Sequence, residues 1–137
     1  MIGSLDVVVL DCPDPAALAG FYAEVLGMRI VPDDEGPGDG GEDDAAEAGD
    51  GIDWVEIGRP GADSVLAFQR VADYTPPEWP GQRVPQQLHL DIRVDDLDTG
   101  EAALLALGAT ATGEGEETFR VYLDPAGHPF CLVSSAD

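Results

Sequence analysis

The chain reads as an α+β protein built from two βαβββ modules. They are expected to pair edge to edge, so that curved sheets form a cleft with the helices on the outer face. Three observations lead there. A strand-and-helix unit occurs twice: Asp14 and Asp96 stand 82 residues apart (96 − 14), and Gly27 and Gly108 stand 81 apart (108 − 27). A repeat at nearly constant offset is the signature of a duplicated supersecondary unit. Short β-branched or alternating runs then follow each helix, too short for helices and bounded by turn residues. Finally, each helix carries an acidic start signal and a glycine stop.

The elements follow in order. Leu5 to Leu10 is short, apolar and β-branched, as a largely buried strand would be. Asp14 followed by Pro15 is an N-cap acceptor ahead of proline at the first helical position. Leu18, Phe21, Tyr22, Val25 and Leu26 then recur at helical spacing, and Gly27 stops the helix. Met28 to Val31 is the next strand. Pro32 to Gly51 mixes Asp and Glu with Gly, Ala and Pro, cannot bury enough apolar surface to order itself, and reads as a mobile acidic loop. It lacks the ligand spacing and terminal glutamate of a calcium loop. Ile52 to Gly58 and Ser64 to Val71 are strands joined at Arg59-Pro60-Gly61. A proline-rich crossover, Ala72 to Pro85, carries Tyr74 and Trp79.

The second module opens on an alternating strand, Leu88 to Val94. His89, Asp91 and Arg93 face one way, and Leu88, Leu90, Ile92 and Val94 the other. Asp98 and Glu101 form a D-x-x-E pattern expected to open the second helix, with Leu97, Leu104 and Leu105 on its apolar side and Gly108 at its end. Ala109 to Thr112, Thr118 to Leu123 and His128 to Val133 are the closing strands, with a turn at Asp124-Pro125-Ala126-Gly127. The modules span about 3–71 and about 86–135 within a single domain of 1–137.

Charge narrows the partners. The chain of 137 residues has 28 acidic and 6 basic residues, a formal net charge of −22. Clustered Lys and Arg carry affinity for nucleic acid and for anionic membranes, so neither is expected as a partner. The field attracts cationic ligands and also supports solubility. No apolar run reaches the roughly 18 residues of a membrane span, and no basic region precedes an apolar core at the N-terminus. The two cysteines, Cys12 and Cys131, form no CxxC, which suits reduced thiols in a cytoplasm.

Asp14-Pro15 leading to Phe21-Tyr22 and Leu26-Gly27, with Asp124-Pro125-Ala126-Gly127-His128-Pro129-Phe130, resembles the vicinal oxygen chelate superfamily over nearly the whole chain outside the acidic loop. That superfamily includes glyoxalase I, extradiol dioxygenases, and fosfomycin- and bleomycin-resistance proteins. The resemblance implies a metal ligand on each of four strands. They map to Val7, Gln69, His89 and Cys131. Valine coordinates nothing, and cysteine stands where a glutamate is usual. The mixed set makes metal-independent binding of a small, cationic organic molecule the first expectation, as in the drug-binding members. The alternative is a lyase, isomerase or dioxygenase using Zn, Ni, Fe or Mn held by Gln69, His89 and Cys131. A homodimer is also implied.

His89 is the best single candidate for chemistry, because imidazole changes charge near neutrality. Gln69, Asp91, Arg93, Arg120, Tyr122 and Trp54 are expected to contact ligand beside it. Arg120 would suit a carboxylate or enolate-like group, and Trp54 a planar ring. The bland alternatives are a strand-edge salt bridge for the arginines and core packing for Trp54 and Cys131.

Overall fold

Two four-stranded sheets, each with one helix, make up the computed structural model, which describes residues 2–32 and 52–134. The expected acidic loop, from 33 to 51, lies outside the described residues. The chain divides into two compact units, Met1–Tyr74 and Thr75–Asp137. Each is a βαβββ module. None of the helices among the described residues is long and apolar enough to cross a membrane.

The N-terminal unit runs β1 (Val8–Cys12), α1 (Pro15–Leu26), β2 (Arg29–Val31), β3 (Trp54–Gly58) and β4 (Ser64–Arg70), with sheet order β1-β4-β3-β2. Helix α1 starts where Asp14 Oδ1 accepts a hydrogen bond from the Ala17 amide at 3.2 Å. It ends at Gly27, whose φ of 69° is left-handed, and the Met28 amide reaches back to the Ala23 carbonyl. Leu18, Ala19, Phe21 and Tyr22 are its buried residues beside Pro15. Tyr22 stacks on Phe68 of β4 with ring centroids 5.8 Å apart. Leu10, Ile57, Leu66 and Phe68 complete this side of the core. They alternate with residues on the far side of the sheet, as pleating requires.

The C-terminal unit repeats the plan: β5 (Leu90–Arg93), α2 (Leu97–Leu107), β6 (Thr110–Glu116), β7 (Phe119–Leu123) and β8 (Pro129–Val133), ordered β5-β8-β7-β6. Here the capping residue differs from the expected one. Asp96 is the N-cap, and its Oδ2 accepts from the Thr99 amide at 2.8 Å and from the Thr99 hydroxyl at 2.6 Å. Asp98 and Glu101 lie inside the helix and bind an arginine instead. The repeat had already matched Asp96 to Asp14, and that match identifies the cap better than the D-x-x-E pattern. Leu105 is a second departure: it is 44% exposed, while Leu97 and Leu104 are buried.

Strand β6 also runs further than Thr112, through Gly113-Glu114-Gly115-Glu116. Its pairing with β7 shifts between Ala111 and Gly115. Gly115 has a φ of 147°, and a Cβ there would lie 2.5 Å from the Phe119 carbonyl oxygen. Glycine is therefore required to pass this irregularity. The Asp124 turn forms as expected. The buried Asp124 carboxylate accepts from the Ala126 and His128 amides at 2.9 and 3.0 Å.

Candidate functional site

Strand register decides which side chains can act together. In β5 and β8, Asp91 pairs with Cys131 and Arg93 with Val133. Across β8, Cys131 pairs with Val121 and Val133 with Phe119. Register partners project to the same face of a sheet. Asp91, Cys131, Arg93 and Phe119 therefore share one face, and His89, two residues before Asp91, continues it. The opposite face belongs to α2: a Cβ on Gly100 would come within 3.0 Å of Leu132.

His89 Nε2 stands 3.3 Å from Asp91 Oδ1, with the two side chains 44% and 57% exposed. Cys131 is half-buried beside them. The donor atoms of His89, Asp91 and Cys131 all lie within 4.8 Å of one another. Burial pushes the Cys131 thiol above its ordinary range, and the adjacent Asp91 carboxylate pushes it the same way. The cysteine is thus a neutral thiol near pH 7, a weak nucleophile and a poor metal ligand until deprotonated. These three residues, with Arg93, Thr118 and Phe119, line a concavity of about 400 Å³.

Arg120 and Tyr122 require correction. Arg120 pairs with Leu132 and Tyr122 with Phe130, so both lie on the helix face, opposite His89. The Arg120 guanidinium reaches Asp98 at 2.9 Å and Glu101 at 3.2 Å. The Tyr122 hydroxyl donates to Glu101 at 2.7 Å. Burial and the Glu101 carboxylate push this phenol up to about 12, while its two carboxylate partners raise Arg120 further. The group ties the first turn of α2 to β7. It does not share a wall with the imidazole. The alternation within β7 was legible, but not which of its sides met the helix.

Gln69 and Trp54 lie in the N-terminal unit, as register partners on the face away from α1. Gln69 Nε2 donates to Asp11 Oδ1 at 3.1 Å. Trp54 is 45% exposed, and its indole N–H donates to Glu56 Oε2 at 2.7 Å. The Ser64 hydroxyl donates to the other Glu56 oxygen at 2.6 Å. These two donors hold the Glu56 carboxyl below its ordinary range. The sequence reading missed Glu56, Ser64, Asp11, Thr118 and Phe119. Glu56 could have been found from its i, i+2 spacing to Trp54 on a strand.

The residues fit the four-strand metal set of the resemblance poorly. Val7 offers no donor atom, and Cys131 stands where the set has a glutamate. The local trio of His89, Asp91 and Cys131 is a different set, drawn from one unit, with Asp91 in place of Gln69. A divalent ion there would have to displace the thiol proton and draw the donors closer, since tetrahedral zinc sites have bonds of roughly 2.0–2.3 Å.

Solved structures share this architecture. A glyoxalase/bleomycin resistance protein/dioxygenase family enzyme from Burkholderia phytofirmans aligns with a TM-score of 0.62 at 20% identity, over 96% of this chain and 98% of that one. The fosfomycin resistance protein FosX of Listeria monocytogenes aligns with a TM-score of 0.62 at 12% identity, over 99% and 96%. An integron cassette protein from the mobile metagenome of Vibrio cholerae gives 0.57 at 18%, over 99% and 98%. At such identities the likeness is one of fold. No curated protein sequence matches the chain. The family model of the glyoxalase-like domain matches residues 7–133, across both βαβββ units, and the chain therefore belongs to that glyoxalase-like family of the vicinal oxygen chelate superfamily.

Proposed function

We propose that the protein binds a small organic molecule, without a metal, on the polar wall of its C-terminal unit. The observation that carries this reading is the convergence of His89, Asp91 and Cys131 beside a concavity of about 400 Å³, with the thiol held neutral. That volume lies within the range of small-molecule sites. His89 and Asp91 would orient polar groups of the ligand, Arg93 would flank them, and Phe119 would supply apolar surface. The net charge of −22 favours a cationic ligand. The reading includes a homodimer in a reducing, cytoplasmic setting, which suits two cysteines that form no CxxC.

Thermal-shift screening of a charged and neutral ligand set provides the test. Hits should be enriched in cations and lost in His89→Ala and Asp91→Asn. Hits confined to anions would end the cation preference. Hits indifferent to both substitutions would end the site assignment. Light scattering should return twice the chain mass.

A second reading, a divalent-metal-dependent lyase, isomerase or dioxygenase, is favoured by the spacing of the same three donors within 4.8 Å. Cobalt titration separates the two. A thiolate-to-cobalt absorption band, lost in Cys131→Ser, would support the metal reading. Stoichiometric metal in protein purified without chelator, lost in His89→Ala, would sink the metal-independent one.

A further inference from the structure

We infer that the N-terminal unit holds a seat for an organic cation, formed by the Trp54 indole and the Glu56 carboxylate. This rests on the reading of the protein as a binder of a small cationic molecule, and it places the positive charge in a second location.

The geometry is local and complete within one unit. Trp54 and Glu56 are two residues apart on β3 and share the face away from α1, where Trp54 pairs with Gln69 and Glu56 with Ala67. The Trp54 side chain is 45% exposed, so ring surface is open to a partner. Here it is fixed by its own N–H, bonded to Glu56 at 2.7 Å. The carboxylate is fixed in turn by the Ser64 hydroxyl at 2.6 Å on its other oxygen. A carboxylate accepts at about four lone-pair positions, so these two donors leave room for a third partner. Both donors strengthen as charge develops on Glu56, which keeps it anionic.

The surroundings supply the rest. Val31, the register partner of Glu56, borders the same concavity of about 480 Å³ with Pro32, Ile52, Trp54 and Glu56. Apolar walls, a fixed indole and one fixed carboxylate are what an alkylammonium group requires. Its methyl groups contact the ring and the aliphatic walls, the ring quadrupole attracts the charge, and the carboxylate balances it. An anion would meet Glu56 as a like charge. A neutral molecule would forgo both electrostatic contributions.

Choline and its uncharged carbon counterpart, dimethylbutanol, are matched probes for this site. In nitrogen-resolved NMR of the full chain, choline should shift the Trp54 indole N–H more than that of Trp79. Dimethylbutanol should bind about tenfold or more weakly. Glu56→Gln and Trp54→Leu should each weaken choline binding by a similar factor, read from choline methyl line-broadening, while backbone spectra remain dispersed. Leu105→Ala, on the exposed side of α2, should leave choline affinity unchanged. Equal affinity for choline and dimethylbutanol, or unaltered choline binding in Glu56→Gln, overturns the inference. Loss of choline binding in His89→Ala also overturns it, while supporting the C-terminal wall as the ligand site. Choline held at Trp54 with screening hits indifferent to His89 would leave this inference standing and remove the earlier reading.

Discussion

Cys131 shows how one neighbour sets the chemistry of a site. It is half-buried, and Asp91 lies beside it in register on β5. A thiol reacts as thiolate, and both burial and the carboxylate oppose that form. Modification of Cys131 by a disulfide reagent at neutral pH should therefore run slower than for a free thiol. The rate should climb only above the ordinary thiol range. Asp91→Asn removes the charge but not the burial, and should recover part of the rate. Timed absorbance of the released chromophore, in a Cys12→Ala background, makes the measurement. Reaction as fast as a free thiol at neutral pH would contradict a neutral Cys131.

At the level of elements, the two helices share a design. Asp14 and Asp96 accept amide hydrogen bonds at the N-termini, and Gly27 and Gly108 close the C-termini with left-handed φ values of 69° and 108°. The Asp96 carboxyl is held below its ordinary range, mainly by the Thr99 hydroxyl and then by the Thr99 amide. A carboxyl depressed on folding stabilises above its unfolded value of 3.8 and loses that contribution as pH falls through its lower folded value. Asp96→Asn should keep the cap at neutral pH, since asparagine caps as well as aspartate. It should flatten the acid limb of stability below about pH 4, read from urea midpoints between pH 2 and 6. An unchanged acid limb would remove Asp96 from that account. Packing holds α1 more firmly than its cap does. Removing the stacked Phe68 ring would cost about 3–5 kcal/mol, whereas losing the Asp14 cap would cost about 1 kcal/mol.

Across the whole molecule the dominant quantity is charge. With 28 acidic and 6 basic residues, self-repulsion opposes compaction. Raising ionic strength from 0.01 to 1 M shortens the screening length from about 30 Å to about 3 Å. The melting temperature should rise by several degrees over that range, more in sodium chloride than for a protein near neutral charge. A flat or falling Tm by calorimetry would show that the carboxylates are compensated in the folded state. Among the described residues, Arg83 is committed to Glu78, and Arg120 to Asp98 and Glu101.

The duplicated βαβββ plan, the Asp14 cap, the glycine stops at Gly27 and Gly108 and the alternation of β5 were legible in the sequence by itself, because each depends on residues close together in the chain. Proline, aspartate and glycine act through local backbone geometry, and a period of two sorts side chains without reference to the rest of the fold. Only the tertiary structure decided which side of β7 met α2. That choice took Arg120 and Tyr122 away from His89, bound them to Glu101, and left Asp91 and Cys131 beside the imidazole. It also joined Trp54, Glu56 and Ser64, whose partnership arises from strand pairing across a turn. Strand register is set by long-range pairing, and a shift of one residue would exchange the two faces.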